Sequence, residues 1–150
     1  NDRVAGITVF GVHRNRDHFD ANGDGFSEIG LINANSLGMR SFIKTSNQGK
    51  ITATYHFISE YRRGGNKFDL QPHETDITEQ TDHQINGGEL VYDHYSRNLK
   101  SKYSVYTSAQ FINRESYYGA QEDLNAYGST QDMSIVSGLQ LTHKADQLLF

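Results

Sequence analysis

The sequence predicts an all-β chain, an antiparallel up-and-down meander of about six strands. Three observations predict it. Apolar and polar residues alternate with period two in several stretches, while helical periodicity is hard to find. The connections alternate between tight turns and long polar segments. The composition suits neither a packed soluble core nor a disordered chain. Only 35% of the 150 residues are hydrophobic, below the usual globular share, yet nine Tyr and eight Phe are too many for a chain that stays unfolded.

The first strand is expected over Val4 to Arg16, rich in Val, Ile and Phe. In the second, Leu37, Met39 and Ile43 alternate with Gly38, Arg40 and Lys44. The third is the clearest: Ile51, Ala53, Tyr55 and Phe57 fall on one face, and Thr52, Thr54 and His56 on the other. The fourth, within Gln84 to Arg97, sets Leu90 and Tyr92 against Glu89, Val91 and Asp93. In the fifth, Tyr103, Val105, Ala109 and Phe111 oppose Ser104, Tyr106, Ser108 and Gln110. The sixth sets Met133, Ile135, Leu139 and Leu141 against Ser134, Gly138, Gln140 and Thr142.

Ser46 to Lys50 and Ser96 to Lys100 read as tight turns, the first with Asn47 and Gly49 supplying unusual dihedrals. Long polar loops are expected near 17–28, 62–82 and 114–131. Short turns alternating with long loops is the outer-membrane barrel pattern, short turns towards the periplasm and long loops outside. A barrel wall also explains the composition, because only one side of each strand must be apolar. A soluble β-meander with unequal loops fits the pattern alone about equally well. The only proline, Pro72, lies in a loop, so every strand N–H is free to pair.

Net charge is -4, with Lys and Arg scattered, so neither nucleic acid nor a polybasic lipid contact is expected. The absence of cysteine removes disulfides, thiolate metal sites and a Cys nucleophile. The residues from Asn1 do not form a signal peptide, and no stretch approaches the ~20 apolar residues of a membrane helix. The abrupt start inside a strand reads as an excised segment.

The run from Glu60 to Gln80, with its Arg62-Arg63-Gly64-Gly65 and Leu70-Gln71-Pro72-His73, resembles a barrel strand and outer loop of TonB-dependent outer-membrane receptors, most nearly those of the Bacteroides group. His83 to Gly88, Ser104 to Gln110, Asn113 to Gly119, Asn125 to Gly128 and Thr130 to Asp132 continue the resemblance, which covers most of the chain from Asp20 onward. The resemblance implies a 22-stranded transmembrane barrel plugged by an N-terminal domain. It also implies import of a scarce, bulky nutrient such as an iron–siderophore complex, cobalamin or a glycan, driven through TonB. The expected partners are therefore outer-membrane lipid, the protein's own plug, TonB and a small-molecule nutrient. The plug and the TonB-contacting segment lie outside this sequence. Leu148-Leu149-Phe150 resembles the interior of a longer family sequence rather than a barrel's terminal aromatic.

Several residues carry candidate chemistry. Asp20, Asn22 and Asp24, followed by Gly25, begin like a calcium loop, and Glu28 falls at the ninth position. The twelfth position is Leu31 and flanking helices are lacking, so an Asx-rich turn is the plainer reading. The seven histidines show no paired metal spacing and read as lumen or loop residues. No nucleophile elbow surrounds any serine, and no catalytic role is expected.

Ligand contact is the working hypothesis. Arg62 and Arg63 suit carboxylate or phosphate groups. Tyr117 and Tyr118 could stack on a planar cargo. Ion pairing of the arginines with Glu60 or Glu115, and an interfacial aromatic girdle for the tyrosines, are the simpler alternatives. The faces of Ile51, Tyr55 and Phe57, and of Tyr103, Val105 and Phe111, are expected to meet lipid. The face of Thr52, Thr54, His56 and Glu60 is expected to line the lumen or meet the plug. A lysine at Val105 should then cost ~2–4 kcal/mol in the intact barrel, and one at Ser104 far less. The rival from another class is a soluble secreted β-domain binding calcium or glycan.

Overall fold

The computed structural model describes residues 4–145, so the Phe150 expectation lies outside the described residues. Six strands run β1 (Ala5–Arg16), β2 (Leu31–Lys44), β3 (Gly49–Gly65), β4 (Ile77–Tyr95), β5 (Ser101–Ala120) and β6 (Tyr127–His143). They form one antiparallel sheet in sequence order, β1-β2-β3-β4-β5-β6. The all-β meander is as the alternation predicts.

The pairing register is unbroken along all five ladders, so each row of side chains can be followed across the sheet. One row reads Ala5, Ile43, Ile51, Tyr92, Val105, Leu139. Two residues further on it reads Ile7, Ser41, Ala53, Leu90, Thr107, Ser137, then Val9, Met39, Tyr55, Gly88, Ala109, Ile135. Next comes Gly11, Leu37, Phe57, Asn86, Phe111, Met133. The apolar faces expected for the separate strands thus coincide as one continuous band. Its polar members are small or internally bonded: the Tyr55 hydroxyl donates to Asn86 Oδ1 at 2.8 Å, and Ser137 Oγ to Thr107 Oγ1 at 2.8 Å.

Beyond the Phe111 row the same face changes abruptly. The next row is His13, Asn35, Ser59, Gln84, Asn113, Gln131, and the one after it Asn15, Asn33, Tyr61, Asp82, Glu115, Ser129. On β5 the apolar band runs from Tyr103 to Phe111, within the ~9–11 residues that a tilted strand needs to cross a bilayer.

The second face is mostly polar at the height of the band, with Arg40, Thr54, Glu89 and Ser108 in one row. Aromatic side chains cover glycines here. Phe10 occupies the space that a Cβ at Gly38 would need, and Tyr106 does the same at Gly138. One largely apolar row, Val12, Ser36, Ile58, Ile85, Ile112 and Asp132, interrupts this face above the band.

Among the described residues only Ile32 and Tyr117 are buried hydrophobics, while Leu139 is 81% exposed. A stable water-soluble domain buries its apolar faces between two packed layers. This single sheet leaves its apolar band uncovered. Among the described residues no helix is long and apolar enough to cross a membrane.

Three expectations need correction. The turn after β2 uses no positive φ at Asn47 or Gly49. It closes instead through Ser46 Oγ, which accepts the N–H groups of Gln48 and Gly49 at 3.2 and 2.8 Å. In the turn after β4 it is Leu99 that takes the left-handed conformation, at φ 57°. The long connections are tighter than expected at 66–76 and 121–126, because β3, β4, β5 and β6 run on into the predicted loops. Ser104 is not a benign control for lysine: it is buried and donates to Asp93 Oδ1 at 2.6 Å.

Candidate functional site

A hollow of about 1070 Å³ lies over the second face at the long-loop end of the sheet. The ends of β1 to β5 form its floor, and Phe26, Ser27 and Glu28 of the first connection border it. That connection is held in place by backbone bonds. Phe19 and Ile29 exchange N–H···O bonds of 2.8 and 3.2 Å, closing its neck. Ser27 then clasps the end of β3: its N–H donates to Gly65 O at 2.9 Å, and its Oγ accepts the Gly65 N–H at 3.1 Å. Gly65 has φ +117°, and a Cβ there would collide with the Ile77 carbonyl, so the clasp requires glycine.

Four arginines reach this face from three strands. Arg14 and Arg16 alternate along β1, Arg62 lies on β3 and Arg114 on β5. The register aligns Arg14, Ala34, Glu60, His83 and Arg114 in one row, with Arg16 and Arg62 in the next. Arg62 meets Glu60 side-on, Nε to Oε1 at 2.6 Å and Nη2 to Oε2 at 3.1 Å. Arg16 Nη2 donates to Gly30 O at 2.8 Å. Arg14 and Arg114 are exposed, and among the described residues neither has an ion pair or a side-chain hydrogen bond. His83 Nε2 is buried in the same row with no hydrogen-bond partner among the described residues.

Of the four expected ligand contacts, Arg62, Arg63 and Tyr118 border the hollow and Tyr117 does not. Arg62 lines it, and Tyr118, 58% exposed and opposite Glu79, stands at its edge. Arg63 and Tyr117 point to the other face, because neighbouring strand residues must diverge. Arg63, 7% exposed, donates to Leu70 O at 2.8 Å and Lys67 O at 3.4 Å, and its guanidinium carbon lies 5.5 Å from the Phe68 ring centre. Phe68 in turn stacks on His18 at 3.8 Å, tying the 66–76 connection to the first one. Tyr117 is fully buried, with its ring edge-on to Tyr127 at 4.8 Å. Arg63 therefore borders the hollow with its guanidinium already bonded to the 66–76 connection, while the side chains of Arg62 and Tyr118 are on the hollow's own face.

The 66–76 connection closes on Asp76, whose carboxylate accepts Asn66 Nδ2 at 2.7 Å and Lys67 Nζ at 2.8 Å. The Lys67 bond, then the Asn66 bond, hold its carboxyl below the usual carboxylate range.

In the first connection, Asp20, Asp24 and Glu28 each bring a carboxylate oxygen within 4.8 Å of the others, which could surround a hard cation. Asn22 enters differently: its Nδ2 donates to Asp24 Oδ2 at 3.0 Å, and its Oδ1 accepts the Asp24 N–H at 3.0 Å. The loop is also satisfied from within. Asp20 accepts the N–H groups of Gly23 and Gly25 at 2.7 and 2.8 Å, and Glu28 that of Ala21 at 2.7 Å. The Gly25 bond leads in lowering the Asp20 pKa. This is the geometry of an Asx-rich turn.

Arg14, Arg16 and Arg114 are not among the ligand contacts expected from the sequence, and His83 is expected only as one of seven lumen or loop histidines. The spacing of Arg14 and Arg16 signals one strand face, but only the register brings Arg114 and His83 into line with them. No known protein family, curated protein or solved structure matches the chain.

Proposed function

We propose that the chain is a wall segment of an outer-membrane β-barrel receptor for TonB-dependent uptake of a scarce, bulky nutrient, such as an iron–siderophore complex or cobalamin. One observation carries the reading: a continuous, uncovered apolar band on one face of a single sheet, about one bilayer crossing long and bounded by uncharged polar residues. In water that band would be an aggregation surface. In a bilayer it is the lipid-facing belt, and the face of Arg40, Thr54 and Glu89 is the lumen wall. The unpaired outer edges of β1 and β6 then continue into further strands, since a membrane does not tolerate open edges. The long connections lie outside the cell, and the hollow at their end of the lumen face meets incoming solute. The wall itself carries out no chemistry on the cargo. The plug and TonB belong to the full-length protein, as the family resemblance implies.

Spin labels at Val105→Cys and Asn113→Cys test the band and its edge in the full-length protein in bilayers. They lie on one face of one strand. The label at Val105 should collide mainly with oxygen, which concentrates in lipid, and the label at Asn113 mainly with a water-soluble nickel chelate. Equal access of the nickel chelate to both sites would sink the lipid-facing assignment.

Calcium binding in the first connection is a second reading, favoured by the convergence of Asp20, Asp24 and Glu28. Calcium raising the melting temperature of the wild type, but not of Asp24→Ala, is the result that would support it.

A further inference from the structure

We infer that the hollow takes a multiply anionic solute, whose carboxylate or phosphate groups are bound by Arg14 and Arg114. The inference rests on the receptor reading for its biological role, but its chemistry rests on the hollow alone. Within a chain of net charge -4, five arginines line one cavity of about 1070 Å³, and of these Arg63 turns its guanidinium to Leu70 O. Their states differ. Glu60 already holds Arg62 side-on, the two-point geometry in which a guanidinium best takes a carboxylate. Arg16 is turned to the Gly30 carbonyl. Arg14 and Arg114 stand exposed without an acceptor, available for what Glu60 does at Arg62. Glu79 lies nearer the loop end than these two and Glu28 accepts the Ala21 N–H, and neither carboxylate is ion-paired with them.

Spacing gives the size of the solute. Arg14 and Arg114 occupy one row, four strand intervals apart, or roughly 19 Å between backbones. Arg62 lies between them, about 10 Å from each strand. A single small anion cannot reach both ends. A scaffold carrying several separated oxyanions can, while Glu60 disfavours lone anions at the centre. A neutral solute would leave both outer guanidinium groups without the acceptor that binding could supply.

The test is equilibrium dialysis with the full-length protein, purified in detergent, at low salt. The probes are hexagalacturonate, a linear octaphosphate and maltohexaose, each long enough to span both arginines. At least one anionic probe should bind saturably and weaken as salt rises. The Arg14→Gln/Arg114→Gln double variant should bind it roughly tenfold or more weakly, because a charge-assisted bond is lost at each end. Lysine at both positions should restore part of the binding, keeping charge without the fork. Arg40→Gln, on the same face but outside the hollow, should change nothing. Both arginines are exposed, so an unchanged melting curve of the double variant is expected to exclude misfolding. Binding of hexagalacturonate alone or octaphosphate alone identifies the oxyanion.

The inference is overturned if neither anion binds, or if the double variant binds as well as the wild type. The two readings fail separately. An outer-membrane protein that ignores both anions loses only the cargo chemistry. A soluble protein that binds them through Arg14 and Arg114 keeps the site and loses the transport role.

Discussion

Arginine at Leu90 is expected to destabilise the intact barrel by about 2–4 kcal/mol, and arginine at Glu89 by less than about 0.5 kcal/mol. The two residues are adjacent on β4 and point to opposite faces. Leu90 stands near the middle of the apolar band, half exposed, in a row with Ile7, Ala53 and Thr107. A guanidinium there must be dehydrated or must deform the bilayer. Glu89 shares its row with Arg40 and Thr54, where charge is already present. Urea unfolding of the full-length protein in lipid vesicles reads both. In a water-exposed sheet both would be surface changes, so equal small costs would exclude a lipid-facing band.

The second large effect is at Tyr117. Removing its ring with Tyr117→Ala should cost about 3–5 kcal/mol, the usual range for a fully buried aromatic. The ring packs against Tyr127 and fills the space that a Cβ at Gly119 would need. Tyr117→Phe should act in the opposite direction. The hydroxyl is buried with no partner among the described residues, so removing it should stabilise by about 1 kcal/mol. The same unfolding experiment measures both. A Tyr117→Phe variant less stable than the wild type would mean that the hydroxyl has a partner in the full-length protein. Loss of cargo binding at unchanged stability in Tyr117→Ala would return the residue to a stacking role.

The halves of the strands nearest the short turns were legible in the sequence, because alternation is visible only where one face is apolar and the other polar. Ile51 to Phe57 and Tyr103 to Phe111 lie wholly within the band. The halves nearest the long loops were not legible. From Ser59 on β3 and Asn113 on β5 the first face also turns polar, and the period disappears although the ladder continues. Strand and loop then look alike, and 62–82 and 114–131 read as loops.

The same cause separates the expected ligand contacts. Arg62-Arg63 and Tyr117-Tyr118 read as pairs at loop junctions, where neighbours can act together. In a strand, neighbours point apart, so Arg63 borders the hollow but sends its guanidinium to Leu70 O, and Tyr117 is buried away from it. Arg114 and His83 needed the register, which depends on pairings between strands far apart in sequence. The Asx character of Asp20 to Glu28 was readable directly, because those bonds are local.

The most direct test of the central claim is an immunoblot of fractionated source cells, probed with an antibody to the 66–76 connection. A band several times heavier than 16.9 kDa in the outer-membrane fraction is the predicted result. A soluble band near 16.9 kDa would contradict the barrel assignment and leave a free β-domain as the reading.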